Sequence, residues 1–370
     1  MRKTLVCGAA FAAVCFSAVA VPMGAHATAP TPPGPSGPVM APPGGSGGDG
    51  SGGDGGGGES PSTSSTTQPE GGQPGGPATP DGEPDGTVTA QAVMVTPELP
   101  KFRTYAYGKA AAQRIDAYWR DTGPRATPRP AVLLLHGGYW LGGDKGAGWK
   151  YFARRLTEQG FVVLSANYRL APKAQWPAQR DDSMAALSFI KQHARLWNVD
   201  PRRVGVIGAS AGGHLATQLG AFGTGNRQVR GVIALSPPND PLLAFKDGAE
   251  PGATRQQVKL RQAVSSLVDC VPGSLADVAG LPGDCLARLD DASTVTHASA
   301  GDAPMLLMHG TGDFVPVAQS SELADALRAA GVQATVKTVK GDLHAGQMLE
   351  DEHTFPMIVS WLKKNLKPLS

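Results

Sequence analysis

Residues 203–219 leave the backbone few options. Val204, Val206 and Ile207 form a short apolar run suited to a buried strand, and Leu215 to Leu219 continue as a helix. Between them Gly208, Ser210 and Gly212 spell G-x-S-x-G. So abrupt a strand-to-helix turn holds its central serine in a strained conformation, with the hydroxyl pushed outward. The flanking glycines let strand and helix approach closely. Free N–H groups and the positive dipole end of the helix behind the serine suit a developing oxyanion. Alone, the motif fits a glycine-rich helix start with an ordinary capping serine equally well. A reactive serine needs more from the chain: a base, an acid to orient that base, and donors for an oxyanion.

The remainder alternates strand with helix. Phe102 to Tyr107 and Arg114 to Trp119 read as two short opening strands. Ala131 to Leu135, Phe161 to Ala166, Val229 to Leu235, Met305 to Met308 and Ala334 to Val339 are apolar runs of strand length. Trp149 to Gln159, Pro177 to Arg195, Glu322 to Ala330 and Phe355 to Leu366 have helical spacing. The expected class is α/β, a doubly wound, mostly parallel sheet with helices on both faces. Asn239 to Ala300 breaks the rhythm: it is long, shows no strand, and is read as a cap-like insertion.

Sites in such sheets lie beyond the carboxyl ends of the strands. His136, Ser210, Asp313 and His344 all fall there. A serine hydroxyl becomes a useful nucleophile beside an imidazole that takes its proton, and the imidazole needs a carboxylate to fix its tautomer. Asp313 and then His344, each after a late strand, give the order Ser, Asp, His. The competitors are weaker. His309 lies at a strand end, where a structural role is expected, and His353 heads the last helix. Asp342 is too near His344 in sequence to reach its ring.

Taken together, His136-Gly137-Gly138, Asn167-Tyr168-Arg169-Leu170, Asp181-Asp182, the Ser210 turn through His214, His309-Gly-Thr-Gly-Asp313 and His344 resemble an α/β-hydrolase. The group is that of carboxylesterases related to hormone-sensitive lipase and to secreted acetyl-xylan and feruloyl esterases. The resemblance implies Ser210 as nucleophile, His344 as base and Asp313 as orienting acid. It also implies an oxyanion hole from the N–H groups of Gly137, Gly138 and Ala211, with no metal and no organic cofactor. One departure stands out: Tyr139 occupies a position where such proteins often carry a third glycine, which puts the shape of the acyl pocket in doubt. Tyr139 and Trp140 are the expected substrate contacts, although Trp140 and Trp176 could equally well pack in the core. His214 is expected to pack, His136 to brace the oxyanion loop, and Asp181 and Asp182 to cap or bind a loop.

Ahead of this region, residues 1–27 read as an export signal. Arg2 and Lys3 precede a mostly apolar Leu5 to Val21, and Ala25-His26-Ala27 offers a small-x-small cleavage site. The apolar run is shorter than the ~20 residues a membrane span prefers, so no stable span is expected after cleavage. Residues 28–92 are rich in Gly, Pro, Ser and Thr and read as a disordered linker, leaving 93–370 as the catalytic domain. Asp49, Asp54, Glu59, Glu70, Asp81, Glu83 and Asp85 give the linker acid and no base, so the domain is mildly basic without clustering, which argues against a nucleic-acid partner. In an exported chain, Cys270 and Cys285 are expected to form a disulfide.

The leading expectation is a secreted serine carboxylesterase for short acyl esters, small or polymer-linked. The insertion is densely charged, from Lys246 and Asp247 to Asp290 and Asp291, which makes a poor interfacial lid for fat droplets. A prolyl-oligopeptidase-type peptidase would bring a large propeller domain, which the linker cannot supply. A non-catalytic binding module would have no need of the complete Ser, Asp, His set. Oligomeric state is left open.

Overall fold

The computed structural model describes residues 99–123, 125–223, 228–273 and 283–368. The expected signal segment and linker lie outside them. Apolar runs become strands wherever the sequence places them: β1 (Lys101–Ala106), β2 (Arg114–Trp119), β3 (Arg129–Leu135), β4 (Val162–Ala166), β5 (Val199–Ala209), β6 (Gly231–Leu235), β7 (Met305–Gly310) and β8 (Ala334–Val339). They form one sheet in the order β1-β2-β4-β3-β5-β6-β7-β8. The first two pairings are antiparallel and the rest parallel.

Helices cover both faces. α1 (Trp149–Glu158) and α8 (Thr354–Asn365) bury Phe152, Leu156, Ile358 and Leu362 against Val132, Leu134, Ile207 and Ile233. On the other face α2 (Ala178–Gln192), α3 (Ala211–Ala221) and α7 (Ala318–Ala329) pack on Leu133, Leu135, Val206 and Val232. Successive residues of the central strands thus feed opposite cores, as the period-two geometry of a strand requires. Both faces being buried is why these strands read as continuous apolar runs.

The described residues of the insertion after β6 include three helices: α4 (Pro241–Asp247), α5 (Arg255–Val268) and α6 (Gly283–Ala292). Asp240 caps α4, and Thr254 with Gln257 forms a capping box on α5. Phe245, Leu260, Val264, Leu267 and Leu289 join the same core as α2 and α3. A disulfide links Cys270 to Cys285, 15 residues on.

Register aligns the ends of neighbouring strands. Leu135 pairs with Gly208, Ala209 with Leu235, and Gly310 with Val339. The loops that leave β3, β5, β6, β7 and β8 therefore emerge side by side along one edge of the sheet.

A loop of this length closed by a disulfide is worth about 3 kcal/mol in the chain-entropy account. The double substitution C270S/C285S should lower unfolding stability by about that amount in urea. Wild-type protein unfolded in strong reductant should show the same loss, and unchanged midpoints in both experiments would mean that the crosslink contributes nothing.

Candidate active site

The turn at Ser210 is built from backbone contact. Ser210 follows β5 directly, with φ 51° and ψ −120°, and α3 begins at the next residue. Its N–H donates to the carbonyl of Leu235 on β6 at 2.7 Å. A Cβ on Gly208 would lie 2.0 Å from the carbonyl oxygen of Gly212, and one on Gly212 2.2 Å from that of Leu135. Only glycine fits either position. A non-glycine residue held in so sparse a region costs on the order of 1–3 kcal/mol, which the surrounding strands must offset.

The loop after β3 presses against this turn. A Cβ on Gly137 would meet the carbonyl oxygen of Ala209 at 2.8 Å and Ser210 Cβ at 3.2 Å. Gly138 has φ 128°, and Tyr139 and Trp140 follow at 59° and 60°. Ala211 opens α3, so its N–H has no intrahelical partner. Gly137 thus abuts Ser210, Ala211 follows it, and Gly138 lines the same cavity.

Asp313, after β7, and His344, after β8, meet as the sequence order suggests. Asp313 Oδ1 accepts from His344 Nδ1 at 2.8 Å and from the Val315 N–H at 3.0 Å. The Asp313 side chain is buried, while a quarter of the His344 side chain is exposed. With Nδ1–H committed to the carboxylate, Nε2 is the nitrogen left with a free lone pair. Ser210 and His344 line one cavity of about 510 Å³ together with Gly137, Gly138, Tyr139, Trp149, Phe152, Gln347 and Glu350.

The rival residues are engaged otherwise or exposed. His309 is wholly buried, with Nδ1 against the Val315 carbonyl at 3.1 Å and Nε2 against Ser320 Oγ at 2.7 Å. Both its nitrogens are occupied. His353 and Asp342 are exposed. Asp182 is buried and accepts from the N–H and guanidinium of Arg169 and from Gln113, so it ties down a loop. His136 stacks on Tyr168 at 4.4 Å, with Nδ1 donating to the Gly137 carbonyl at 2.9 Å.

Tyr139 borders the cavity, as expected. Its ring stacks on Phe314 at 6.1 Å, Phe314 leans on His344 at 4.3 Å, and Lys259 Nζ of α5 lies 4.6 Å from the Tyr139 ring centre. Trp140 requires a correction: it is fully buried, not a cleft residue. A large indole gains most by burial once its N–H is bonded, and Trp140 Nε1 donates to His214 Nδ1 at 3.2 Å. Trp176 does likewise with Asp291 at 2.7 Å. His214 packs, as expected, and its Nε2 donates to the Ala292 carbonyl at 2.7 Å.

Ser236 and Gln347 escape a reading of sequence. Ser236 Oγ accepts from the N–H of Ala345 at 2.8 Å, and the Gln347 side chain accepts from the N–H of His344 at 2.8 Å. Together they grip the backbone on both sides of the histidine. Ser236, directly after β6 and before two prolines, is the available signal. Among the described residues no three His, Cys, Asp or Glu side chains gather as a metal cage. No described helix is long and apolar enough to cross a membrane.

Comparison with known proteins identifies the family. Residues 132–348, more than half of the chain, match the family described as alpha/beta hydrolase fold. The probable carboxylic ester hydrolase LipM of Mycobacterium tuberculosis is 29% identical over 273 residues, covering 68% of this chain and 59% of its own length. Esterase LipC of the same organism is 26% identical over 268 residues, covering 69% and 62%. The chain therefore spans less than two thirds of either relative. Among solved structures, the thermostable carboxylesterase EstE1 from a metagenomic library superposes with a TM-score of 0.60 at 21% identity, covering 73% of this chain and 91% of its own. That likeness establishes the fold.

Burial holds two of these histidines neutral. His214 is pushed down to about 4 by burial, with Arg180 and His297 adding to the effect. His309 is also pushed down to about 4 by burial, against the opposing pull of Asp313. An unfolded histidine titrates near 6.5. Below that pH the unfolded chain binds protons that the folded protein refuses, so stability is full above about 6.5 and is lost as pH falls toward 4. Between pH 7.5 and 5 the loss is about 2 kcal/mol per histidine. Urea unfolding at the two pH values should show it, and His214→Gln should remove about one proton's share of the slope. A slope unchanged in that variant would mean His214 is not held neutral.

Proposed function

The chain belongs to the α/β-hydrolase fold family, and on that footing we propose that it is a serine carboxylesterase acting on short-chain acyl esters. What carries the reading is the bond from His344 Nδ1 to Asp313 beside a serine held at φ 51°, with Ser210 and His344 opening on one cavity. The esterase names of LipM and LipC support it.

In this mechanism Ser210 Oγ attacks the acyl carbonyl while His344 Nε2 takes its proton. Asp313 holds the ring in the tautomer that leaves Nε2 basic and stabilises the imidazolium as it forms. Negative charge moves to the carbonyl oxygen, where the N–H groups of Gly137, Gly138 and Ala211 receive it. His344 then protonates the departing alcohol, leaving an acyl-Ser210. Water, deprotonated by His344, attacks that ester in turn. Collapse of the second tetrahedral intermediate releases the acid and returns the proton to Ser210.

Trp149 and Phe152 wall the cavity on the side of α1, a boundary suited to a short acyl group. The densely charged insertion suits a soluble ester better than a fat droplet. Export is proposed from Arg2, Lys3, the apolar Leu5 to Val21 and Ala25-His26-Ala27, with the disulfide in keeping. An exported enzyme on a long polar stalk suits acylated polysaccharide as a target.

Ser210→Ala should reduce turnover of p-nitrophenyl acetate by on the order of 10⁶-fold. Asp313→Asn, which disturbs the tautomer, should cost about 10⁴-fold. Retention of a tenth of the rate by pure, folded Ser210→Ala would sink the assignment. Across p-nitrophenyl esters of two to sixteen carbons the rate should peak between acetyl and butyryl. A maximum at long chains, rising above the micelle threshold, would make the protein a lipase instead.

A further inference from the structure

We infer that His214 is a positioning residue for the oxyanion loop, acting through the indole of Trp140. The inference rests on the esterase reading above. His214 lies one turn along α3 from Ser210 and is fully buried. Its Nδ1 accepts from Trp140 Nε1–H at 3.2 Å and its Nε2–H donates to the Ala292 carbonyl at 2.7 Å. A carbonyl only accepts and an indole N–H only donates, so these two partners fix the tautomer between them. The ring also meets Trp140 edge-on at 5.5 Å.

The loop that this bond reaches needs holding. Gly138, Tyr139 and Trp140 take φ values of 128°, 59° and 60° in succession. Two of the three carry side chains, and such a backbone persists only when its surroundings impose it. The turn's own bonds run from the N–H groups of Leu141 and Gly142 to the Gly138 carbonyl, each at 3.0 Å. Trp140 supplies the outside anchors. Its carbonyl accepts from the Ala171 N–H at 3.0 Å, and its indole is tied to His214.

Without the acceptor on His214 the indole N–H would be buried and unpaired, a state that drives rearrangement. Trp140 stands two residues from Gly138, so a shift of its ring moves the oxyanion donors. Those donors stabilise charge only where it develops in the transition state. A displacement on the order of 1 Å costs about 10²-fold in rate.

The test compares W140F, H214L, their double variant and H214Q with wild type, each shown folded by near-UV circular dichroism. We measure kcat and KM on p-nitrophenyl acetate, and the affinity of a boronic acid that forms a tetrahedral adduct with serine. H214L and W140F should each lower kcat by about 10- to 100-fold, with KM within twofold and a matching loss of boronate affinity. The double variant should be no worse than the worse single, because both remove one interaction. H214Q can accept from the indole and donate to Ala292, and should keep most of the rate. Should H214L fail to fold, W140F and H214Q carry the test.

Folded single variants with kcat within twofold of wild type would overturn the inference. So would losses that multiply in the double, a loss confined to KM, or an H214Q as impaired as H214L. Ser210→Ala separates the two levels. If it stays active, the esterase reading falls. If it is dead while H214L and W140F keep full turnover, only the role of His214 falls.

Discussion

Everything at this site depends on backbone pressed against backbone. Gly208, Gly212 and Gly137 each sit where a Cβ would come within 3 Å of a carbonyl oxygen. The β3 loop, the Ser210 turn and the start of α3 therefore form one unit, with no side chains between them. Such contact is what allows Ser210 to be held at φ 51°. The strain is local, and the neighbouring strands offset it through the bond from Ser210 N–H to Leu235 and the fully buried apolar faces behind it. A loosely packed version of the same sheet would let the serine relax.

The parallel sheet converts this local constraint into a site. Its register sets the carboxyl ends of β3, β5, β6, β7 and β8 in line, so each loop delivers one piece. Asp313 arrives from one strand and His344 from the next, yet their side chains bond at 2.8 Å. Ser236, just past β6, holds the backbone of Ala345 in the histidine loop. Distances in sequence are large while distances in space are small, and the sheet accounts for the difference.

Much of this was legible in the sequence because it depends on residue type at fixed local spacing. The apolar runs from Ala131 to Val339 marked the strands, and G-x-S-x-G marked the turn. The meeting of Asp313 and His344 followed from strand order. Trp140 was misread for an identifiable reason. Its neighbour Tyr139 shares the same left-handed backbone and does border the cavity, so position along the loop says nothing of which ring turns inward. That depends on His214, 74 residues later, offering an acceptor in the core. Ser236 and Gln347 were missed on similar grounds. Each acts on the backbone of a distant loop, and a serine or glutamine carries no mark of that in sequence.

The insertion reads in sequence as a cap, and its bonds define what kind of cap it is. The Leu267 carbonyl accepts from the Trp176 N–H at 2.8 Å, and Asp291 takes both the Trp176 indole and the buried Arg180 guanidinium. Ala292 accepts from His214 of α3, and Lys259 sits over Tyr139. Leu260, Val264, Leu267 and Leu289 belong to the main core. Lifting these helices as a lid would expose that apolar surface to water and break the bonds from Trp176, Arg180 and His214. The described part of the insertion is thus a fixed wall. It fixes the tautomer of His214 and lies against the ring of Tyr139, which stacks through Phe314 onto His344. The same segment therefore reaches both sides of the cavity, the 137–140 loop through His214 and His344 through the stacked rings of Tyr139 and Phe314.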